Sequence, residues 1–173
     1  MATTYEAIAT VTVGSGGAAS IDFTSIPGTY TDLLLKLSTR STDASARRQL
    51  FVKYNDSSSN YTGRRLYGED DGVGSDTLSG NTGYSFGVTC GDTATANTFG
   101  SAEVYIPNYA GSNNKSSSTD SVIENNSSAT YDNWLTANLW SDSSAITKIS
   151  VTLSAGNFKQ YSTATLYGIK NTV

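Results

Sequence analysis

The sequence predicts an all-β fold: an antiparallel, jelly-roll-like sandwich of about eight core strands plus extras, without substantial helix. Three observations predict it. Period-two alternation of apolar and polar residues recurs along the 173 residues. The alternating runs are short, and clusters of Gly, Ser, Asn and Asp separate them. The composition is also rich in Ser, Thr and Tyr, with 11 Tyr, and Thr and Tyr suit a pleated, half-buried surface.

Taken in order, Tyr5, Ala7, Ala9, Val11 and Val13 alternate with Glu6, Ile8, Thr10 and Thr12, and a Gly-rich turn at 14–17 ends this first strand. Ile21 and Phe23 mark a second strand, closed by Ile26-Pro27-Gly28. Leu33, Leu35 and Leu37 give a third, and Leu50, Val52 and Tyr54 a fourth. Further strands are predicted over 64–67, 84–89, 101–106, 118–123, 134–140, 146–153 and 164–170. Turn signals between such runs indicate a sandwich or barrel. Two stretches, 68–83 and 107–117, are too long for tight hairpins and read as loops of the kind that carry binding. No repeat or linker divides the chain, so 1–173 reads as one domain.

Composition excludes several functions. There is no histidine, which removes Ser-His-Asp and Cys-His catalysis and the common zinc sites. No phosphate-binding Gly motif is present, and no cofactor is expected. A carboxylate pair such as Glu103 or Glu124 with Asp120 is the remaining hydrolytic arrangement. Such carboxylates on strand faces and ends read as solvated, and the chain is expected not to be an enzyme. Its net charge of −4 speaks against nucleic acid. No signal peptide or apolar run of membrane length appears. Cys90, the single cysteine, reads as a small buried residue.

Charge is unevenly distributed. Residues 36–65 hold seven basic side chains against two acidic, a local +5, whereas residues 66–145 hold ten acidic against Lys115, a local −9. Complementary zones of this kind set register between strands or between subunits; simple solvation of polar loops is the plainer alternative. Arg47, Arg48, Arg64 and Arg65 are the candidate ionic interface. Glu69, Asp70 and Asp71, followed by Gly72, form a weak calcium candidate whose spacing does not match an EF-hand loop.

Trp134 and Trp140 lie six residues apart and so share one strand face, with Leu135, Ala137 and Leu139 on the other. If the aliphatic set is inside, the tryptophans form a surface for sugar stacking or subunit contact, joined by Tyr109 from the 107–117 loop. If the tryptophans are inside, the aliphatic set faces out. Alternation alone leaves both open.

The segment Phe99-Gly-Ser-Ala-Glu-Val-Tyr-Ile-Pro-Asn-Tyr109 and the closing Tyr161-Ser-Thr-Ala-Thr-Leu-Tyr-Gly-Ile-Lys170 resemble small virion structural proteins of tailed bacteriophages, including phages of cyanobacteria. Ile21-Asp-Phe-Thr-Ser-Ile-Pro27 and Tyr30-Thr-Asp-Leu-Leu-Leu35 are similar to the same group. These are packing and turn motifs, and none is catalytic. The resemblance implies a jelly-roll virion component made in the host cytoplasm and placed on the virion surface. A capsid decoration (cement) protein would contact the major capsid protein and its own copies, as a homotrimer. A tail-fibre or adaptor module would bind host surface glycan. The predicted strands run from about Tyr5 nearly to Val173 and leave no stalk, which favours decoration.

Overall fold

A computed structural model describes residues 4–70, 72–79, 83–126 and 131–170. Twelve strands follow in chain order: β1 (Tyr5–Thr12), β2 (Ser20–Phe23), β3 (Asp32–Thr39), β4 (Arg47–Tyr54), β5 (Tyr61–Glu69), β6 (Gly72–Ser79), β7 (Tyr84–Cys90), β8 (Gly100–Pro107), β9 (Lys115–Ile123), β10 (Asp132–Trp140), β11 (Ile149–Leu153) and β12 (Thr163–Ile169). Every strand pairing is antiparallel. An eight-stranded sheet runs β1-β12-β3-β8-β9-β10-β5-β6, and a four-stranded sheet runs β2-β11-β4-β7. The molecule is an antiparallel β-sandwich, and no helix occurs among the described residues.

The main core follows from the alternation. Leu33, Leu35 and Leu37 of β3, Val104 and Ile106 of β8, and Ala164 and Leu166 of β12 point inward from the large sheet. Leu50, Val52 and Tyr54 of β4, Ile149 and Val151 of β11, and Ile21 and Phe23 of β2 meet them from the small sheet. Tyr54, Tyr61, Tyr84 and Trp140 close this core as an aromatic group, with Tyr61 stacked on Trp140 at 6.1 Å. Tyr54 and Tyr84 share a hydrogen bond between their hydroxyls, and burial pushes both phenols up.

Beneath β7 a smaller apolar cluster of Val88, Cys90, Ala94, Ile123 and Trp134 lies beside polar side chains. The core-facing set of β9 is Lys115, Ser117, Thr119, Ser121 and Ile123. Ser121 Oγ accepts the Val88 N–H at 2.9 Å and donates to the Val88 carbonyl at 3.2 Å, while Thr119 Oγ1 donates to the Phe86 carbonyl at 3.0 Å. Hydroxyls of the large sheet thus satisfy the free backbone edge of β7. Gly87 permits the approach, since a Cβ there would lie 2.5 Å from Ser121 Oγ. Because these inward residues are polar, alternation does not show where β9 begins, and the strand starts at Lys115 rather than Ser118.

Two cations are buried by the same logic. The Arg40 guanidinium donates to the carbonyls of Thr95, Thr98 and Ala94 at 2.7–2.8 Å and shapes the 92–98 turn. Lys115 Nζ donates to the Gly111 carbonyl at 2.7 Å and to that of Asn113, and burial pulls its ammonium pKa down.

One expectation is overturned here. The 68–83 stretch is not a long loop: β5 continues to Glu69, which pairs with Gly72, and β6 returns along it to Ser79. Asp70 adopts a left-handed φ of 46° at the turn, as a tight hairpin requires. β6 is exposed or half-buried along its length, so it needs no apolar period and shows none.

Candidate functional site

The four candidate arginines do not form one surface. On β5, side chains alternate, so Arg65 points into the sandwich while Arg64 stands on the outer face. Arg47, Arg48 and Arg65 line a cleft of about 340 Å³ at the β7 edge, together with Glu69, Val88 and Trp134. Arg47 bonds Asp132 and Glu69, the latter at 3.2 Å, and Arg48 bonds Asp43. Arg65 grips Asp76 with two hydrogen bonds, at 3.1 and 2.5 Å. Its guanidinium carbon lies 3.7 Å from the Trp134 ring centroid and 4.6 Å from that of Tyr67, a buried cation–π arrangement. Arg47, Arg48 and Arg65 are each paired with a carboxylate of the same chain.

The charge zones find each other in the same way. Lys36 pairs with Glu103 at 3.0 Å, and Arg40 approaches Asp92 at 4.0 Å. Arg47 with Glu69 and Asp132, and Arg65 with Asp76, also join the basic stretch to the acidic one. The complementarity read in the sequence therefore serves, in large part, contacts between strands and turns of one chain.

Both tryptophans face inward, with Trp134 3% and Trp140 2% exposed, while Leu135 is 57% exposed. Of the two phases that alternation leaves open, the structure adopts the one with the tryptophans inside. The reason is what lies opposite: the aromatic group fills the space over Trp140, and Arg65 covers Trp134. Tyr109 is also buried, its hydroxyl donating to the Pro27 carbonyl and accepting the Tyr30 N–H at 3.4 Å. None of the three rings offers a stacking platform to a sugar.

Of the calcium candidates, Glu69 is held by Arg47, Asp70 is an exposed turn residue, and Asp71 lies outside the described residues. Among the described residues no group of three or more acidic or sulfur ligands gathers in a metal-holding arrangement. Glu103 and Asp120 are register partners on the outer face, with Glu103 tied to Lys36 in an exposed ion pair. Cys90 is buried, and burial pushes its thiol up.

The feature that the sequence reading missed is on the opposite side of the large sheet. Leu66 (59% exposed), Leu135, Val122 (43%) and Val73 (92%) stand together on its outer face. Leu66 is the cross-strand partner of Leu135, and the row through Gly68 and Asn133 links Val73 to Val122. The four line a shallow groove of about 550 Å³. Arg64 and Asp120 flank it, Arg64 beside Ala137 and Asp120 beside Leu135.

No family model, curated protein or solved structure matches this chain. The signal that could have found the outer patch is the inward phase of Trp134: once it is placed inside, Leu135 and its register partner Leu66 must face out.

Proposed function

We propose that this chain is a non-catalytic virion structural protein, a capsid decoration protein with a jelly-roll-like sandwich. It binds the outer surface of a phage shell through the β9-β10-β5-β6 end of its large sheet. One observation carries the reading: four large apolar side chains, Leu66, Val73, Val122 and Leu135, are exposed side by side on a regular sheet face. A contiguous exposed apolar patch with polar surroundings is characteristic of a protein interaction site. Arg64 and Asp120 beside it supply charge for orientation. A protein that binds only the assembled shell stabilises it by mass action.

The test uses shells lacking the protein. Leu66→Glu with Leu135→Lys should keep the fold, because both positions are exposed and the new cross-strand pair is oppositely charged, and lower shell loading by about tenfold or more. Undiminished loading would overturn the proposal. Charge reversal at Arg47 and Arg48 is the poorer probe, since it breaks the pairs to Asp132, Glu69 and Asp43. A glycan-binding tail module is disfavoured by the burial of Trp134, Trp140 and Tyr109. Specific retention on host glycans with a change in tryptophan fluorescence would restore it.

A further inference from the structure

Regular β-sheet proteins protect their edges, because an open edge presents unpaired N–H and C=O groups to any other strand. Three of the four edges here carry a protecting feature. The β7 edge is satisfied by Ser121 and Thr119 hydroxyls. β2 is only four residues long. β1 has a register break between Ala7 and Ala9, and Glu6 forms an ion pair with Lys170 at 3.1 Å.

β6 is longer than β2 and has no register break, and its ion pair to Arg65 lies on the inner face and not along the open edge. It runs eight residues in unbroken register with β5, and contains no Pro and no Lys. Its one charge, Asp76, is drawn inward by Arg65. Gly74 keeps the strand close to β5, since a Cβ there would lie 2.6 Å from the Tyr67 hydroxyl oxygen.

We infer that β6 is a dimerisation edge, pairing antiparallel with β6 of a second copy about a two-fold axis at Ser75. The strand is self-complementary in that register. Val73 faces Thr77 of the second copy, and Gly74 faces Asp76 of the second copy, so no like charges oppose. A register centred one residue further sets Asp76 against its own copy, with like charges directly opposite. Centring at Ser75 also aligns the apolar patches, because Ser75, Leu66 and Leu135 occupy one cross-strand row. The two rows join end to end across the axis as one band on a common face. An isologous edge closes at two copies, in place of the three-fold that the family resemblance implies. The inference is independent of capsid binding and is tested without shells.

Sedimentation and light scattering of the full chain should give twice the chain mass in a concentration-dependent equilibrium. Ser75→Lys places two lysines opposite each other at the axis and should weaken the dimer by about tenfold or more. Ser75 is exposed, so the variant keeps its fold by circular dichroism. Ser75→Cys should cross-link under mild oxidation, since directly opposed antiparallel residues lie within disulfide range. The buried Cys90 does not compete. A chain that stays monomeric, a trimer, or a dimer indifferent to Ser75→Lys and not cross-linked by Ser75→Cys would each overturn the inference.

Discussion

The interior of the sandwich is filled in two different ways at its two ends. Under β4, β11 and β2, Leu33, Leu35, Leu37, Val104, Ile106 and Leu166 meet Leu50, Val52 and Val151 in a dry aliphatic core. Under β7 the same large sheet presents Ser117, Thr119, Ser121 and Arg65 to polar partners, with Ile123 and Trp134 beside them. The difference arises from what each strand face must cover. The small sheet has four strands and the large one eight, so the large sheet outruns the β7 edge, where Ser121 and Thr119 of β9 bond the β7 backbone and Arg65 of β5 holds Asp76. Aliphatic packing is non-directional and tolerates small shifts. The polar end depends on specific partners, because a buried polar group is expensive when left unpaired.

The sharpest test of this contrast is in the dry core. Leu35 is fully buried, and Leu35→Ala should cost about 2–5 kcal/mol in denaturant unfolding, through lost burial and a residual cavity. A cost below about 1 kcal/mol would mean that this end collapses around the gap and is less rigidly packed than its burial implies.

At the polar end, Arg65→Ala should cost about 3 kcal/mol, because it uncovers Trp134 and frees Asp76. Asp76→Asn should cost clearly less, since that carboxylate reaches solvent at the rim. Equal losses in urea unfolding would locate the stabilisation in the ion pair and not in the stacking of Arg65 between Trp134 and Tyr67.

The smallest expected effect is a pH slope. Burial raises the Asp132 carboxyl above its ordinary value near 3.8, against the opposing pull of Arg47. The folded state therefore holds the Asp132 proton more tightly than the unfolded chain, and this group's contribution falls as pH rises through its folded value. Asp132→Asn removes that slope, so its Tm relative to the native protein should improve between pH of about 4 and about 7. Asp92 and Asp142 act in the opposite sense: lowered by Lys159 and by the Ser144 bonds respectively, they remove stability only as pH drops below 3.8. A relative Tm that instead declines with pH would show the Arg47 attraction prevailing over burial at Asp132.

Much of the fold was legible in the sequence because the pleat has a period of two. Leu33, Leu35 and Leu37 declare β3, and Leu50, Val52 and Tyr54 declare β4. β6 was hidden because it lies on an edge with little to bury, and glycine and serine serve there as well as valine. The start of β9 was hidden because its inward residues hydrogen-bond β7 instead of packing as hydrocarbon. Of the candidate site, the face shared by Trp134 and Trp140 was legible, and so was the complementarity of the two charge zones.

What the sequence determined by itself is local: strand alternation, the turns that end it, and the absence of histidine chemistry. Which face of β10 turns inward was decided only by tertiary structure, because Leu135 and Trp134 are both apolar. The aromatic group and Arg65 make room for the tryptophans and send Leu66 and Leu135 outward. The destination of the arginines was decided in the same way. A charge can be read from the sequence, but its partner comes from the strand or turn that the fold brings beside it, and for Arg47 and Arg65 that partner is in the same chain.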